Sequence, residues 1–146
     1  MLLVAHVIAT QSHSRFVTDE SMDFPADWSP IQARPGVRGS SKGQQDGGRT
    51  ILVHSLAVSP DHQGRGLGTV ILKSYVQRME SSGIADRIAL IAHDRLIPFY
   101  ERLGFSNMGA SACTFGGGGW YNMVSCGPLL TYCIWNRDIL MMMMTT

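Results

Sequence analysis

Two apolar runs, TILVHSLAV at 50–58 and RIALIA at 87–92, enclose a stretch in which Leu67, Ile71, Tyr75 and Met79 recur every four residues. Short runs of β-branched and aliphatic residues bounded by turn formers are strands, and a four-residue recurrence is one face of a helix. A strand–helix–strand passage of this length makes the two strands parallel neighbours, because the helix carries the chain back to its starting edge. The turn between strand and helix, SPDHQGRGLGT at 59–69, holds Gly64, Gly66 and Gly68. Val70 and Val76 flank the apolar line of the predicted helix 67–82, Lys73, Gln77 and Arg78 lie outside it, and Gly83 is its stop.

The rest of the chain extends this unit. LLVAHVIAT at 2–10 suits a strand buried on both faces. A short helix is predicted over 95–103, with Asp94 as its cap, Pro98 in its first turn and Gly104 as its left-handed end. FSNMGASACTF and WYNMV read as two closing antiparallel strands separated by Gly116–Gly119. The expected fold is α/β of the α+β kind, a mixed, largely antiparallel sheet with flanking helices. Residues 11–49 lack periodicity and are long for a loop in a compact domain, so they are expected to be functional or partly disordered. Within them, VTDESMDFPADW at 17–28 carries Asp19, Glu20, Asp23 and Asp27 with Phe24, Trp28 and no basic residue, whereas 34–49 is rich in Gly, Ser and Arg. Residues 125–146 break with the preceding style and are expected to form an atypical, low-order tail.

At 146 residues the chain is one domain's worth, and its formal charge of +1 gives no footprint for nucleic acid or an anionic membrane. No apolar run approaches the ~20 residues of a membrane helix. The opening MLLVAHVIAT has no basic leader and no small-residue cleavage site, so a soluble cytoplasmic protein is expected. Cys113, Cys126 and Cys133 are odd in number and lack zinc-type spacing, which predicts free thiols and no metal site.

A glycine-rich turn that enters a helix presents backbone N–H groups without intrahelical partners, and the helix dipole favours negative charge there. Arg65 could add a charge-assisted contact. The dinucleotide fingerprint fails because Thr69 stands where its third glycine belongs, and no Gly-Lys-Ser or Gly-Lys-Thr of a P-loop occurs. Gln63-Gly64-Arg65-Gly66-Leu67-Gly68 instead matches Q/R-x-x-G-x-G/A and resembles the acetyl-CoA pyrophosphate loop of the GNAT acetyltransferase superfamily. HSLAV before it and IPFYERLGF after it resemble, more narrowly, the arylalkylamine (serotonin) N-acetyltransferase group and its fungal polyamine-acetylating relatives. The likeness spans roughly residues 2–124, read as one partial domain.

The resemblance implies an acetyl-CoA-dependent N-acetyltransferase acting on the primary amine of an arylalkylamine or a polyamine in a ternary complex. It implies that Leu56, Ala57 and Val58 pair with the pantetheine arm, and that Gln63 through Thr69 (Gln63, Gly64, Arg65, Gly66, Leu67, Gly68, Thr69) surround the pyrophosphate. Tyr100 matches the residue that protonates the departing thiolate, and Leu56 and Ile91 match substrate-lining positions. His54 matches one of two proton-removing histidines, and Leu52 stands in the other's place. A lone histidine in an apolar strand is more often a hydrogen-bonded core group, and Tyr100 in its setting could be core as well. Carboxylates and aromatics of 17–28 could select a cationic amine. The superfamily's opening strand, two helices and second strand have no match ahead of LLVAHVIAT, which implies an N-terminally truncated domain with a full cofactor half and a shortened substrate half. The alternative is a catalytically impaired module that binds acyl-CoA or a partner chain.

Overall fold

The computed structural model describes residues 2–24, 26 and 42–127. The expected Trp28 and Asp27 contributions, the first half of the Gly/Ser/Arg-rich segment (34–41) and the tail beyond 127 lie outside the described residues. Five strands form one sheet: β1 (Ala5–Ser12), β2 (Thr50–Val58), β3 (Arg87–Ala92), β4 (Ser106–Ala110) and β5 (Tyr121–Cys126), in the order β1-β2-β3-β5-β4. Only β2 and β3 are parallel, and the other pairs are antiparallel, as the strand–helix–strand passage requires. The last strand inserts between β3 and β4.

Helix α1 (Leu67–Ser82) ends at Gly83, whose φ of 65° is left-handed. Its buried line is Leu72 and Val76, flanked by half-buried Ile71, Tyr75 and Met79, while Val70 is 61% exposed and leaves the core face expected for it. Strand β1 starts at Ala5 and runs to Ser12, so the loop begins later than expected. The expected single helix at 95–103 is a 3-10 turn, Asp94–Leu96, followed by α2 (Ile97–Arg102). Asp94 caps neither: its Oδ1 accepts from the adjacent Arg95 N–H at 2.7 Å. The strand expected to continue to 115 stops at Ala110 and gives way to an irregular segment with a 3-10 turn at Phe115–Gly117.

Alternate residues of the central strands fill two cores. Ile51, Val53, Ile88, Leu90, Ala92 and Met123 pack with Leu72 and Val76 of α1 and with Tyr100 of α2. Leu52, Ala89 and Val124 pack on the opposite face with Val17 and Cys113, covered by the loops around 16–22 and 108–120. The register of β1 against β2 slips once, from Ile8 opposite Ser55 to Ala9 opposite Val53, so His54 is an extra residue. A bulge of this kind exchanges the faces beyond it. Hence Leu56, rather than Ser55, rejoins the helix-side core.

Part of the segment expected to be mobile is tied down. Gln44 Oε1 accepts from the Gln11 N–H at 2.8 Å, the Gln45 N–H bonds the Gln11 carbonyl at 2.9 Å, and Gln45 Oε1 accepts from Ser12 and His13. These bonds close the end of the β1 edge. Among the described residues no helix is long and apolar enough to cross a membrane.

Candidate functional site

Gln63 Nε2 donates to the Val58 carbonyl at 2.9 Å, which holds the glycine turn against the end of β2. Gly64 and Gly66 sit at φ 72° and 77°, and a Cβ added to either would meet nothing within 4 Å. Glycine is required there by the backbone, and the space above it is open. Gly66 is the N-cap of α1, and its carbonyl takes the first helical bond, from the Val70 N–H at 3.0 Å. Among the described residues, the N–H groups from Gly64 to Thr69 reach no protein acceptor. They border a cleft of about 190 Å³ lined also by Val58, His62, Gln63 and Phe99. Arg65 is exposed at its rim. This concavity, rich in free donors and walled on one side by Val58 and Phe99, fits an anionic ligand.

Beside the turn, the β2–β3 ladder holds only at Thr50–Arg87, Ile51–Ile88 and Leu52–Ala89, although both strands continue. Beyond Leu52, among the described residues, the β2 edge facing β3 therefore carries unpaired backbone groups at Leu56 and at the Val58 N–H, while Ala57 turns toward β1 and the Val58 carbonyl is held by Gln63. A ligand entering from the glycine turn would meet that edge next.

Tyr100 lies on α2, on the helix side of the sheet, with edge-to-face contacts to Phe99 (5.1 Å) and Phe105 (5.8 Å). Among the described residues its hydroxyl has no hydrogen-bond partner, and burial raises its pKa above the usual phenol value. His54, by contrast, is fully engaged. A thioether can only accept, so Nδ1–H points at Met22 Sδ (3.0 Å), and Nε2 accepts from the Thr10 hydroxyl at 2.6 Å. Burial lowers its pKa, so the ring is neutral at pH 7. Ile91 is half-buried in the loop-covered core, whereas Leu56 packs in the helix-side core. The two expected substrate-lining side chains therefore do not share a wall.

The acidic loop differs most from expectation. Asp19 accepts from the Thr114 and Phe115 N–H groups (2.9 and 2.8 Å), the Thr114 hydroxyl (2.9 Å) and the Cys113 thiol (3.3 Å). These donors, the Cys113 thiol first, hold its carboxyl below the usual range. Asp23 pairs with Lys42 at 2.6 Å. Both carboxylates are spent inside the protein, so neither is free to select an amine. Phe24 is 63% exposed. The cleft of about 650 Å³ beside Ser12, Thr18, Gln45 and Cys113 contains this Asp19 clamp. A further cleft of about 460 Å³, between Met79, Ile88 and Gly127, lies at the far end of α1 from the glycine turn.

Several residues escaped the sequence reading: Thr10 and Met22, which bracket His54, and Trp120, which stacks on His93. Counting two residues on from Ile91 along the strand would have placed His93 on the same face.

A model of the acetyltransferase (GNAT) family matches residues 32–105. The serotonin N-acetyltransferase of Mesocricetus auratus is 40% identical over 70 residues, covering 48% of this chain and 34% of that protein. The human serotonin N-acetyltransferase is 36% identical over 72 residues, covering 49% and 35%. The chain thus spans about a third of the length of these curated relatives. Among solved structures, the PaiA N-acetyltransferase of Thermoplasma acidophilum in complex with coenzyme A aligns with a TM-score of 0.44 at 17% identity, over 53% of this chain and 46% of that one.

Proposed function

The chain belongs to the acetyltransferase (GNAT) family, and on that premise we propose that it moves the acetyl group of acetyl-CoA to the primary amine of a small arylalkylamine, by direct attack in a ternary complex. The observation that carries this reading is the run of N–H groups from Gly64 to Thr69 that have no partner among the described residues, set beside the open edge of β2. Acetyl-CoA, when bound, supplies the acetyl group in activated form as a thioester. The 64–69 amides and Arg65 would hold its pyrophosphate, with Gln63 fixing the turn and Leu67 and Gly68 lining the cleft. The β2 segment of Leu56, Ala57 and Val58 would lie along its pantetheine arm, with the Leu56 backbone and the Val58 N–H free to pair with it. Tyr100, kept protonated by burial, has a phenolic proton to give to a departing thiolate.

The arylalkylamine is favoured over a polyamine on two grounds. Asp19 and Asp23 are already satisfied, so this loop offers neither of them to a polycation. The loop-covered face is apolar and aromatic: Phe16, Met22, Ile91, Met108 and Trp120 pack there. His54 contributes as a neutral, buried imidazole that reaches outward only through Thr10.

The test is incubation of the chain with acetyl-CoA and tryptamine, serotonin or spermidine while free thiol is followed. Thiol release is expected with the two aryl amines and much less with spermidine. Acetyl-CoA binding without thiol release on any of the three would overturn the enzyme reading in favour of a non-catalytic acyl-CoA-binding module.

A further inference from the structure

A primary alkylamine is cationic near neutral pH and has no lone pair, so an acetyl transfer to it needs a proton acceptor. On the loop-covered face His54 is a poor candidate, because both of its nitrogens are occupied. His93 differs in each respect. It follows the last residue of β3, on the face shared by Ala89 and Ile91, where β2 and β3 are no longer paired. The Gly119 carbonyl, 3.2 Å away, can only accept, so Nδ1 carries the ring proton and the lone pair lies on Nε2. Among the described residues nothing bonds Nε2. The ring is stacked on Trp120, with centroids 3.8 Å apart and planes 20° from parallel. Trp120 is itself fixed by its Nε1–H to the Phe115 carbonyl at 2.7 Å. Among the described residues the adjacent Asp94 makes no bond to the ring, and its Oδ1 accepts from the Arg95 N–H. An imidazole anchored at one nitrogen, clamped by an indole and free at the other is a preset base. It begins the connection that leads into α2 and Tyr100.

We propose that His93 is the proton acceptor for the amine, an assignment that rests on the acetyltransferase reading above. The proton leaves the ammonium nitrogen for Nε2, and the N–H electron pair stays on nitrogen as the attacking lone pair. The imidazolium then passes the proton to solvent, which reaches this half-buried ring.

His93→Asn is the test, because an amide can still donate to the Gly119 carbonyl but cannot act as the base. It is assayed against two acceptors of the same aryl group, an alkylamine and the matching O-alkylhydroxylamine, whose nitrogen is neutral at pH 7. The expected result is a fall in kcat/KM of ~100-fold on the alkylamine, within the range of general-base catalysis, and of less than ~10-fold on the hydroxylamine. His54→Gln, run alongside, is expected to lose both substrates equally. A His93→Asn loss equal on both, no loss at all, or a substrate-selective loss in His54→Gln instead would overturn the assignment while the unmodified chain's turnover left the acetyltransferase reading standing. No turnover by the unmodified chain would overturn both. Should His93→Asn melt early, His93→Ala with added imidazole replaces it: rescue selective for the alkylamine supports the assignment, and its absence overturns it.

Discussion

The glycine turn at 63–69 and the acidic loop at 17–24 have opposite economies of hydrogen bonding. Among the described residues the turn leaves a run of N–H groups with no acceptor, and its two left-handed glycines keep the space above them open. The loop spends its carboxylates at once, Asp19 on four donors and Asp23 on Lys42. Polar groups near a protein surface are informative when they are left over, because satisfied ones are already accounted for by the fold. A charge count singles out the loop; a partner count singles out the turn.

The largest expected break concerns Tyr100, which packs edge-to-face against Phe99 of the turn's cleft. Tyr100→Phe keeps the packing against Phe99 and Phe105 and removes only the hydroxyl. Steady-state kinetics should show kcat down by ~100-fold with KM for acetyl-CoA little changed; an unchanged kcat would leave Tyr100 as core. Next, Gly66→Val forces a side chain into a left-handed conformation that costs roughly 1–2 kcal/mol, although nothing crowds its Cβ. Titration calorimetry should find acetyl-CoA affinity lower by ~10-fold, and unaltered affinity would deny the turn its role.

Asp19→Ala tests the other side of the comparison. Thermal unfolding should come earlier while acetyl-CoA affinity holds, and an equal loss of affinity would erase the distinction between the two loops. Because the Asp19 pKa is lowered in the fold, its contribution is present above the ordinary 3.8 and is lost as pH falls through the lower folded value. The variant should therefore show a flatter stability curve in that acid range. The smallest effect is expected at His54. Its folded pKa is depressed by burial below the ordinary 6.5, so stability is full above that pH and declines as pH drops toward the folded value. His54→Gln should flatten that decline, as followed by chemical denaturation at pH 5 to 7.5.

The elements that were legible are those decided locally. Helix α1 spans Leu67–Ser82 as predicted, because glycines at both ends mark where the backbone leaves helical space. RIALIA becomes β3 without a shift of either boundary. The parallel β2–β3 pair followed from the passage between them. What was not legible depends on partners distant in sequence. The placement of β5 between β3 and β4 is set by which edges remain open once β3 has formed. Val70 falls outside the core because α1 lies on the sheet along Leu72 and Val76, a rotation that the four-residue recurrence does not specify. In the candidate site, motif and spacing singled out the turn and Tyr100, the residues on which the proposed function rests. The bonding of the acid loop was not legible because composition lists charges without the amides of residues 114 and 115 that bind Asp19. His93 was passed over because its worth lies in the Gly119 carbonyl and the Trp120 ring, neither of which its own neighbourhood in the chain announces.

The extra residue at His54 acts on β2 as a half-period phase shift acts on a wave. Up to Val53 the odd positions look toward α1, and from Leu56 onward the even ones do. The chain uses this once, to keep an unbroken apolar underside while placing two consecutive polar side chains, His54 and Ser55, on the loop-covered side. Removing either His54 or Ser55 alone would restore a strict alternation with Leu56 still toward α1, whereas removing both would trade the faces of everything from 56 to 58. The turn that follows would be delivered inverted, with its amides addressed to the wrong side of the sheet. Substitutions here can be tolerated in kind, and the bulge can lose its one surplus residue, but the face on which β2 delivers Leu56 is effectively part of the site.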